Sequence, residues 1–564
     1  MNAAVLLRRF DLLTESAENI PNLRKLIVTM AVAGKLGSRF SNLLMPAPTV
    51  TQAPRRTQLS NQKQAQILSP IEEYELPSPN LDPRRFVRLA AIAAVKKGLT
   101  GIQSAQPGPF PLVVTAKERS TCDHFDYDRA AAIIPLVSSA GHGKASLNRL
   151  HYQEGRFALG TILCAVFPLA PEHFSARFLY EYLTTFKEEL LVSQMIGTAN
   201  VTLTVGKIND IPIPLIPMEV QLQIDELMSL CDRLEAAQAE RERRRDRLAA
   251  ASLHRLNQPA DATDPELFRA HARFYINHLP RLTTRPEHIK QLRQTILNLA
   301  VRGKLVPQDP NDEPASEILR RLRSLSGRSI TAKSPPKRNT PQILHRATGL
   351  MLPPSWETVA LGDVCSLVTS GSRGWAEFYS DTGPKFIRAQ NIRFGCLRLQ
   401  DLACVTPPAN SEGSRTSVSL YDLLVVITVA GVTNPAMVDR DLGEAYVSQH
   451  VALVRPSAIE SAPWLLLCLM APNGGRNELV ELAYGSGKPG LNLDNIRSLP
   501  VPFPSTPEQA RILSRLAALL AHCDELQNLR TTADAHGSQL LSSILNKSIY
   551  CQSDMPGIMP LFDN

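Results

Sequence analysis

The sequence predicts an α+β fold: two globules of mixed helix and strand, separated by a pair of long antiparallel, coiled-coil-like helices and related by an internal pseudo-twofold repeat. The first observation behind this is a duplication. The run from Leu23 to Leu36 can be laid without a gap on Leu292 to Leu305, and eight of fourteen positions match, where ordinary composition gives roughly one. The second is an echo further on, where Ile208, Pro212, Pro214 and Gln221 recur 288 places later as Ile496, Pro500, Pro502 and Gln509, and the Cys-Asp-x-Leu at Cys231 returns at Cys523. The third is a pair of heptad-like seams. Ile224, Leu227, Cys231 and Leu234 form one, and Ile512, Leu516, Leu519, Cys523 and Leu526 the other. Apolar steps of three and four make a helix amphipathic, so two matching seams are expected to pack on each other. Each copy thus runs from a short helix through a long variable globule and an Ile-x-x-x-x-Pro-x-Pro lead to a long helix.

In chain order, residues 8–36 are expected to be helical, stopped by Gly34. Residues 37–80, rich in Pro, Gln, Ser and Thr, are expected to form a loose linker or insertion within a first globule of 37–215. Strands are expected at 161–167 and 201–205, and a helix around 178–191. A central helical region covers 216–323, with a long helix over about Met218 to Leu256 and the repeated helix near Glu287 to Leu305. A basic linker, 324–350, leads into a second globule at 351–503, with strands expected at 423–429 and 445–455. The last helix, 504–550, opens with Thr506 as its expected N-cap and Gln509 closing a capping box, and 551–564 is a tail. Gln221 to Cys231 is ten residues and Gln509 to Cys523 is fourteen; the difference is about one helical turn, which keeps the seam in phase.

The length of 564 residues allows three or four domains, and a net charge of +8 suits nucleic acid or an acidic partner. The nine cysteines form no C-x-x-C pair and no Cys/His ligand spacing, so reduced cytosolic thiols are expected, with no metal. No segment gives eighteen uninterrupted apolar residues. Catalytic signatures are missing as well. Every Gly-Lys pair is followed by a residue other than Ser or Thr, so there is no Walker loop. No Asn-Pro-Pro-aromatic run holds a base for methylation, and no acidic residue stands two places before a lysine as a metal nuclease needs. The segment Gly485 to Gly490 formally matches G-x-G-x-x-G, but Leu491-Asn492-Leu493 after it is strand-like, so a tight loop is expected in place of a dinucleotide site. Gly141-His142-Gly143-Lys144 is a similar turn. The arginines from Arg241 to Arg247 alternate with Glu240, Glu242 and Asp246, as on a solvated helix face; a partner or phosphate contact is the alternative.

The run Leu292 to Ala315 closely resembles the central conserved region of specificity subunits of type I restriction–modification systems. Pro354-Ser355-Trp356-Glu357-x-Val359-x-Leu361-Gly362-Asp363 resembles the opening of a target-recognition domain, Phe386 to Ile392 its inner strand, and Leu491 to Pro502 its exit. The usual Trp-Glu-x-x-x-Leu-Gly opening is missing from the first globule. The resemblance implies a non-catalytic, cytoplasmic DNA-binding subunit whose two target-recognition domains each read half of a split target. Its implied partners are double-stranded DNA, modification subunits carrying S-adenosylmethionine, two per chain, and restriction subunits using ATP and Mg. A stand-alone bipartite DNA-binding regulator is the alternative. Basic side chains in polar or strand-edge segments of the globules make Lys144, Arg149, Arg373, Arg388 and Lys488 the expected DNA contacts. A helix of about 38 residues would span roughly 57 Å, suiting half-sites on the order of 34 Å apart.

Overall fold

The computed structural model describes residues 19–36, 70–79, 81–140, 143–198, 201–258, 265–325, 352–371, 373–407, 413–484 and 489–550. The chain divides into two compact units. One holds the described residues up to Arg241 together with those from Ala533 onward, and the other is Glu242–Thr532. The division falls inside both long helices, and each unit is built by the same steps.

In the first unit, helix α1 (Asn19–Val32) buries Ile20, Ile27, Val28, Ala31 and Val32. It stops where expected: Gly34 takes φ +71°, Lys35 N–H donates to the Met30 carbonyl at 2.8 Å and Gly34 N–H to Ala31 at 2.9 Å. That is a Schellman closure, which needs a left-handed residue. The globule's first strand, Phe86–Arg88, pairs antiparallel with its last, Pro212–Pro214. Between them a four-stranded antiparallel sheet runs in the order 93–97, 163–168, 131–135, 151–153. A second sheet runs 120–122, 110–113, 156–159, 127–128, with 110–113 parallel to 156–159. The helix Ala176–Thr185, capped by the Ser175 hydroxyl, covers the larger sheet with Phe178, Leu179, Tyr182 and Leu183. The long helix α2 (Met218–Asn257) follows.

Within this unit the α2 seam packs on α1. Ile224, Met228 and Cys231 share one core with Ile20, Ile27 and Val28, and Arg24 reaches over to Asp232 at 2.6 Å and Glu235 at 3.2 Å. Gln221 is fully buried; its amide donates to the Ile216 and His173 carbonyls and its oxygen accepts from Ser175 N–H.

The second unit repeats each step. Helix α3 (Pro286–Val301) ends at Gly303, φ +67°, with Lys304 N–H on the Leu299 carbonyl. The strand Glu357–Ala360 pairs with Pro500–Phe503. The larger sheet runs 365–370, 451–456, 423–426, 435–437, and the smaller 403–405, 379–387, 445–447, again with one parallel pair. Helix α4 (Thr506–Tyr550) places Ile512, Leu516 and Cys523 in a core with Ile289, Ile296 and Leu297 of α3, and Arg293 pairs with Asp524. Arg24 and Arg293 are matching positions of the duplicated run, as are Asp232 and Asp524 of the long helices. Each seam therefore finds, inside its own unit, the short repeated helix; the expectation that the seams serve each other overlooked this partner.

Several expectations change. Ser505, not Thr506, caps α4, its hydroxyl accepting from Glu508 N–H at 3.2 Å, and Gln509 donates to the Pro504 carbonyl instead of closing a box. Residues 201–205 contribute only two isolated bridges at Thr202, to Val137 and to Ile196, before a short helix Val205–Asn209. The strand expected at 423–429 ends at Val426, and 445–455 is two strands, Ala445–Val447 and Val451–Pro456. Leu491-Asn492-Leu493 is no strand: Asn492 caps the helix Leu493–Arg497. A helix, Arg476–Tyr484, also precedes this glycine-rich segment, so the strand that a dinucleotide loop must follow is absent there. The arginine-rich stretch of α2 is tied locally, Arg245 to Glu242 and Thr284, and Asp246 to Arg285 and His288.

The missing Trp-Glu opening has a structural substitute. A Cβ on Gly303 would lie 2.6 Å from Pro353 and 3.1 Å from the Trp356 ring; on Gly34 it would meet the Arg85 guanidinium at 2.7 Å. Arg85 thus covers the first helix end as Trp356 covers the second. Arg88 then anchors the segment before it, bonding Glu75 at 2.7 Å and the Pro70 carbonyl at 2.8 Å. We expect Gly303→Ala, which meets both a left-handed backbone and the Trp356 ring, to destabilise the second unit by about 1–3 kcal/mol. Urea unfolding followed by tryptophan fluorescence measures this, and an unchanged midpoint would remove the argument.

Candidate nucleic-acid interface

Two loops meet in each globule. In the first, the connection from strand 131–135 to 151–153 touches the chain just before the exit: Ser138 N–H donates to the Val201 carbonyl and Leu203 N–H to Leu136, both at 2.9 Å. In the second, the connection from 423–426 to 435–437 meets the corresponding stretch through Leu491 N–H on the Ile427 carbonyl, 2.8 Å. The strands hold the bases of these loops, and connections of this kind can differ in sequence without disturbing the sheet.

Lys144 and Arg149 share the first loop and are both exposed. The loop is organised by Ser138, whose hydroxyl donates to the Lys144 carbonyl at 2.6 Å and accepts from Ala140 and Ser146 N–H. Its far end is His151, buried beside Arg119, whose guanidinium lies 3.1 Å from Nδ1. Burial first, then the charges of Arg119 and Arg149, push the His151 pKa down to about 4, so the ring is neutral near pH 7. In the second globule, Arg373 and Arg388 flank the strand Tyr379–Ile387 at its two ends and are not brought together. Arg373 is exposed. Arg388 is held inward, donating to the Asp401 carbonyl at 3.0 Å and lying 5.8 Å over the Tyr379 ring. Lys488 lies outside the described residues.

One residue of this loop pair escapes sequence reasoning. Val429 is exposed and has φ +67°, with Thr433 at +75° in the same loop. A β-branched residue in that region is strained, by about 1–3 kcal/mol, and the surroundings enforce it: Thr433 N–H donates to Val426 at 2.7 Å, Arg476 binds the Thr433 carbonyl, and the Thr428 hydroxyl meets His450 Nδ1 at 2.6 Å. In sequence, Val429 simply continues an apolar run.

The description "Type I restriction modification DNA specificity domain" matches residues 353–533. The specificity subunit of type I restriction enzyme EcoAI from Escherichia coli is 27% identical over 347 residues, 60% of this chain and 58% of that one. The EcoEI specificity subunit, also from Escherichia coli, is 26% identical over 357 residues, again 60% and 58%. Residues 353–533 thus match the type I specificity-domain family, and the chain is similar to specificity subunits of type I restriction enzymes. It spans somewhat over half, 58%, of the length of those two specificity subunits. Among solved structures, the HsdS subunit from Thermoanaerobacter tengcongensis is similar at 16% identity and a TM-score of 0.41, covering 82% of this chain and 96% of that one. The S subunit from M. genitalium is similar at 12% and 0.27, covering 84% and 96%. Within this α+β chain, the region matched as a specificity domain takes in the second globule from Pro353 and the first part of α4. Among the described residues, no helix is long and apolar enough to cross a membrane.

The pH dependence of the loop follows from His151. Its unfolded pKa is about 6.5, above the native value of about 4, so between these the unfolded chain binds more protons. Stability is then present above pH 6.5 and falls as pH drops toward 4, by on the order of 3 kcal/mol. Urea midpoints from pH 7 to 4.5 should decline less steeply in His151→Gln than in the parent chain; equal slopes would show that the ring is not held neutral.

Proposed function

We propose that this chain is the sequence-specific DNA-binding subunit of a type I restriction–modification complex, recognising a bipartite target and positioning methyltransferase and restriction subunits. The observation that carries this is the repeat in three dimensions. The larger sheets of the two globules share one strand order, each globule is closed by the same first-to-last strand pairing, and each is followed by a long helix tied to a short one by the same Arg–Asp bridge. A protein selected to read one contiguous site needs one such globule; two with like frames and unlike loops suit two different half-sites. The two like helix pairs suit two modification subunits, which would bring S-adenosylmethionine, while restriction subunits would bring ATP and Mg. The chain itself does no chemistry in this reading, and it works in the cytoplasm.

Lys144, Arg149 and Arg373 are the DNA-binding side chains this reading favours, since all three are exposed on globule loops. Arg388 is committed to Asp401 and Tyr379 and supports the loop instead. Alanine in place of a phosphate-binding side chain should weaken binding evenly across sequences and lower the salt slope by about one. Alanine in place of a base-reading side chain should cost about 1–3 kcal/mol and relax one position of the target. Binding measured over a salt series and a panel of altered targets separates the two.

Exchanging residues 351–503 for another recognition domain should change one half-site and leave the other intact, read by methylome sequencing of cells carrying the complete system. Inserting four residues into one long helix, near Ala236 or near Leu526, adds about one turn, roughly 6 Å, and should lengthen the preferred spacer by one or two base pairs. If both half-sites changed in the exchange, the two-globule assignment would fail.

A further inference from the structure

One cluster in the first globule has no counterpart in the second among the described residues. Cys122 ends the strand Ser120–Cys122, and its buried thiol lies 3.3 Å from His124 Nδ1 and 3.6 Å from Asp123 Oδ1, which are themselves 2.8 Å apart. Cys122 and His124 are two residues apart, the spacing that puts side chains on one face of an extended chain. The backbone turns after the strand, where Asp123 N–H donates to the Gln106 carbonyl at 3.0 Å, and this brings the carboxylate round to the same point. Sulfur, imidazole nitrogen and carboxylate oxygen therefore converge, and these three atoms all lie within 4.8 Å of one another. Donors on a tetrahedral zinc, with Zn–S near 2.3 Å and Zn–N or Zn–O near 2.0 Å, sit roughly 3.3 to 3.6 Å apart.

A second observation concerns the other side of the imidazole. His124 Nε2 is 3.0 Å from the Thr100 hydroxyl, which donates to Asp126 Oδ2 at 2.9 Å; that oxygen also accepts Leu159 N–H at 2.8 Å. Thr100 is buried and the Asp126 side chain is only 7% exposed. A buried hydroxyl–carboxylate relay of this kind keeps a proton on Nε2, so that it is Nδ1, facing Cys122 and Asp123, that can turn a lone pair to a metal ion. Such relays are the usual support behind a metal-binding histidine.

The geometry points to a binding site for a zinc-class divalent cation held by Cys122 Sγ, Asp123 Oδ1 and His124 Nδ1. Binding converts the Cys122 thiol to a thiolate, and the thiol proton, together with any proton that Nδ1 shares with Asp123, leaves to solvent as the ion takes its place among the three groups. A borderline-soft ion matches a mixed sulfur, nitrogen and oxygen set, whereas calcium and magnesium require oxygen. Asp123 and His124 are each more than half exposed, so the fourth position opens to solvent and takes water or an exchangeable ligand. The ion would clamp the end of strand 120–122 to Thr100 and, through Leu159, to the parallel strand pair. In the second globule the strand Ala403–Val405 is followed by Thr406 and Pro407, so the trio is not repeated after that strand. In sequence the three residues stand in one Cys-Asp-His run, which lacks the spacing of the usual structural zinc motifs.

The full-length chain, purified without a histidine tag, stripped with chelator and dialysed, should rebind one equivalent of zinc by competition with a chromophoric chelator. Loaded with cobalt, it should show thiolate-to-metal charge transfer. Cys122→Ser should abolish that band, and His124→Gln, at a ring more than half exposed, should weaken zinc binding further than Thr100→Val. The latter removes only the supporting hydroxyl and should cost on the order of 10- to 100-fold in affinity. Cys404→Ser should leave all readings unchanged. Equal zinc affinity in the parent, Cys122→Ser and His124→Gln chains, or no zinc bound by the parent above that of the two variants, would overturn the assignment.

Discussion

The fold depends on bringing the two ends of each globule together. Phe86–Arg88 beside Pro212–Pro214, and Glu357–Ala360 beside Pro500–Phe503, make the first and last strands of each globule antiparallel neighbours. The next hydrogen bond is repeated too: Leu89 N–H donates to the Ile211 carbonyl at 2.9 Å and Leu361 N–H to Leu499 at 2.8 Å. Once the ends are paired, the residues between them can change in length and surface without moving the helices outside. Prolines sit in both exit strands, at 212, 214, 500 and 502; lacking an N–H, they are tolerated because each of these pairs has only two strands.

This explains which parts were legible in the sequence. The repeated short helix, its glycine stop, the long helices and the exit motif are all held by close packing or by a required backbone conformation, so their residues recur. Gly34 and Gly303 recur because a left-handed residue closes each short helix, and Gln221 and Gln509 because each is buried with its amide on the carbonyl five residues back. The lead-in strands were not equally legible. Trp356 fills a space that a tryptophan signature announces, donating to Glu508 at 2.9 Å and packing edge-on to Trp464. At the same place in the first unit stands Arg85, which no pattern would select.

The candidate interface was only partly legible for a different reason. Basic residues in polar loops can be named from sequence, but whether a guanidinium is free depends on groups far along the chain. Arg388 looked like Arg373 until Asp401 and Tyr379 were placed beside it. Val429 carries no polar signal at all; its position outside the core follows from a turn that begins where the apolar run continues in sequence.

The repeated Arg–Asp bridges raise a question of energy. Asp232 is 58% and Asp524 66% exposed, and exposed ion pairs contribute about 0–1 kcal/mol. The buried seam residues beneath them, Ile224, Met228 and Cys231 in one unit and Ile512, Leu516 and Cys523 in the other, supply far more, at about 1.5–3 kcal/mol for each large aliphatic side chain. The bridges are therefore poor candidates for stabilising the helix pairs, and better ones for choosing among registers that the apolar seam tolerates. A seam with steps of three and four accepts a slip of one turn at little apolar cost, and the halves differ by such a turn, ten residues from Gln221 to Cys231 against fourteen from Gln509 to Cys523. Across that difference the arginine still finds the aspartate that follows the cysteine. The charge pair thus reports which turn of the long helix faces the short one, a choice that apolar packing leaves open.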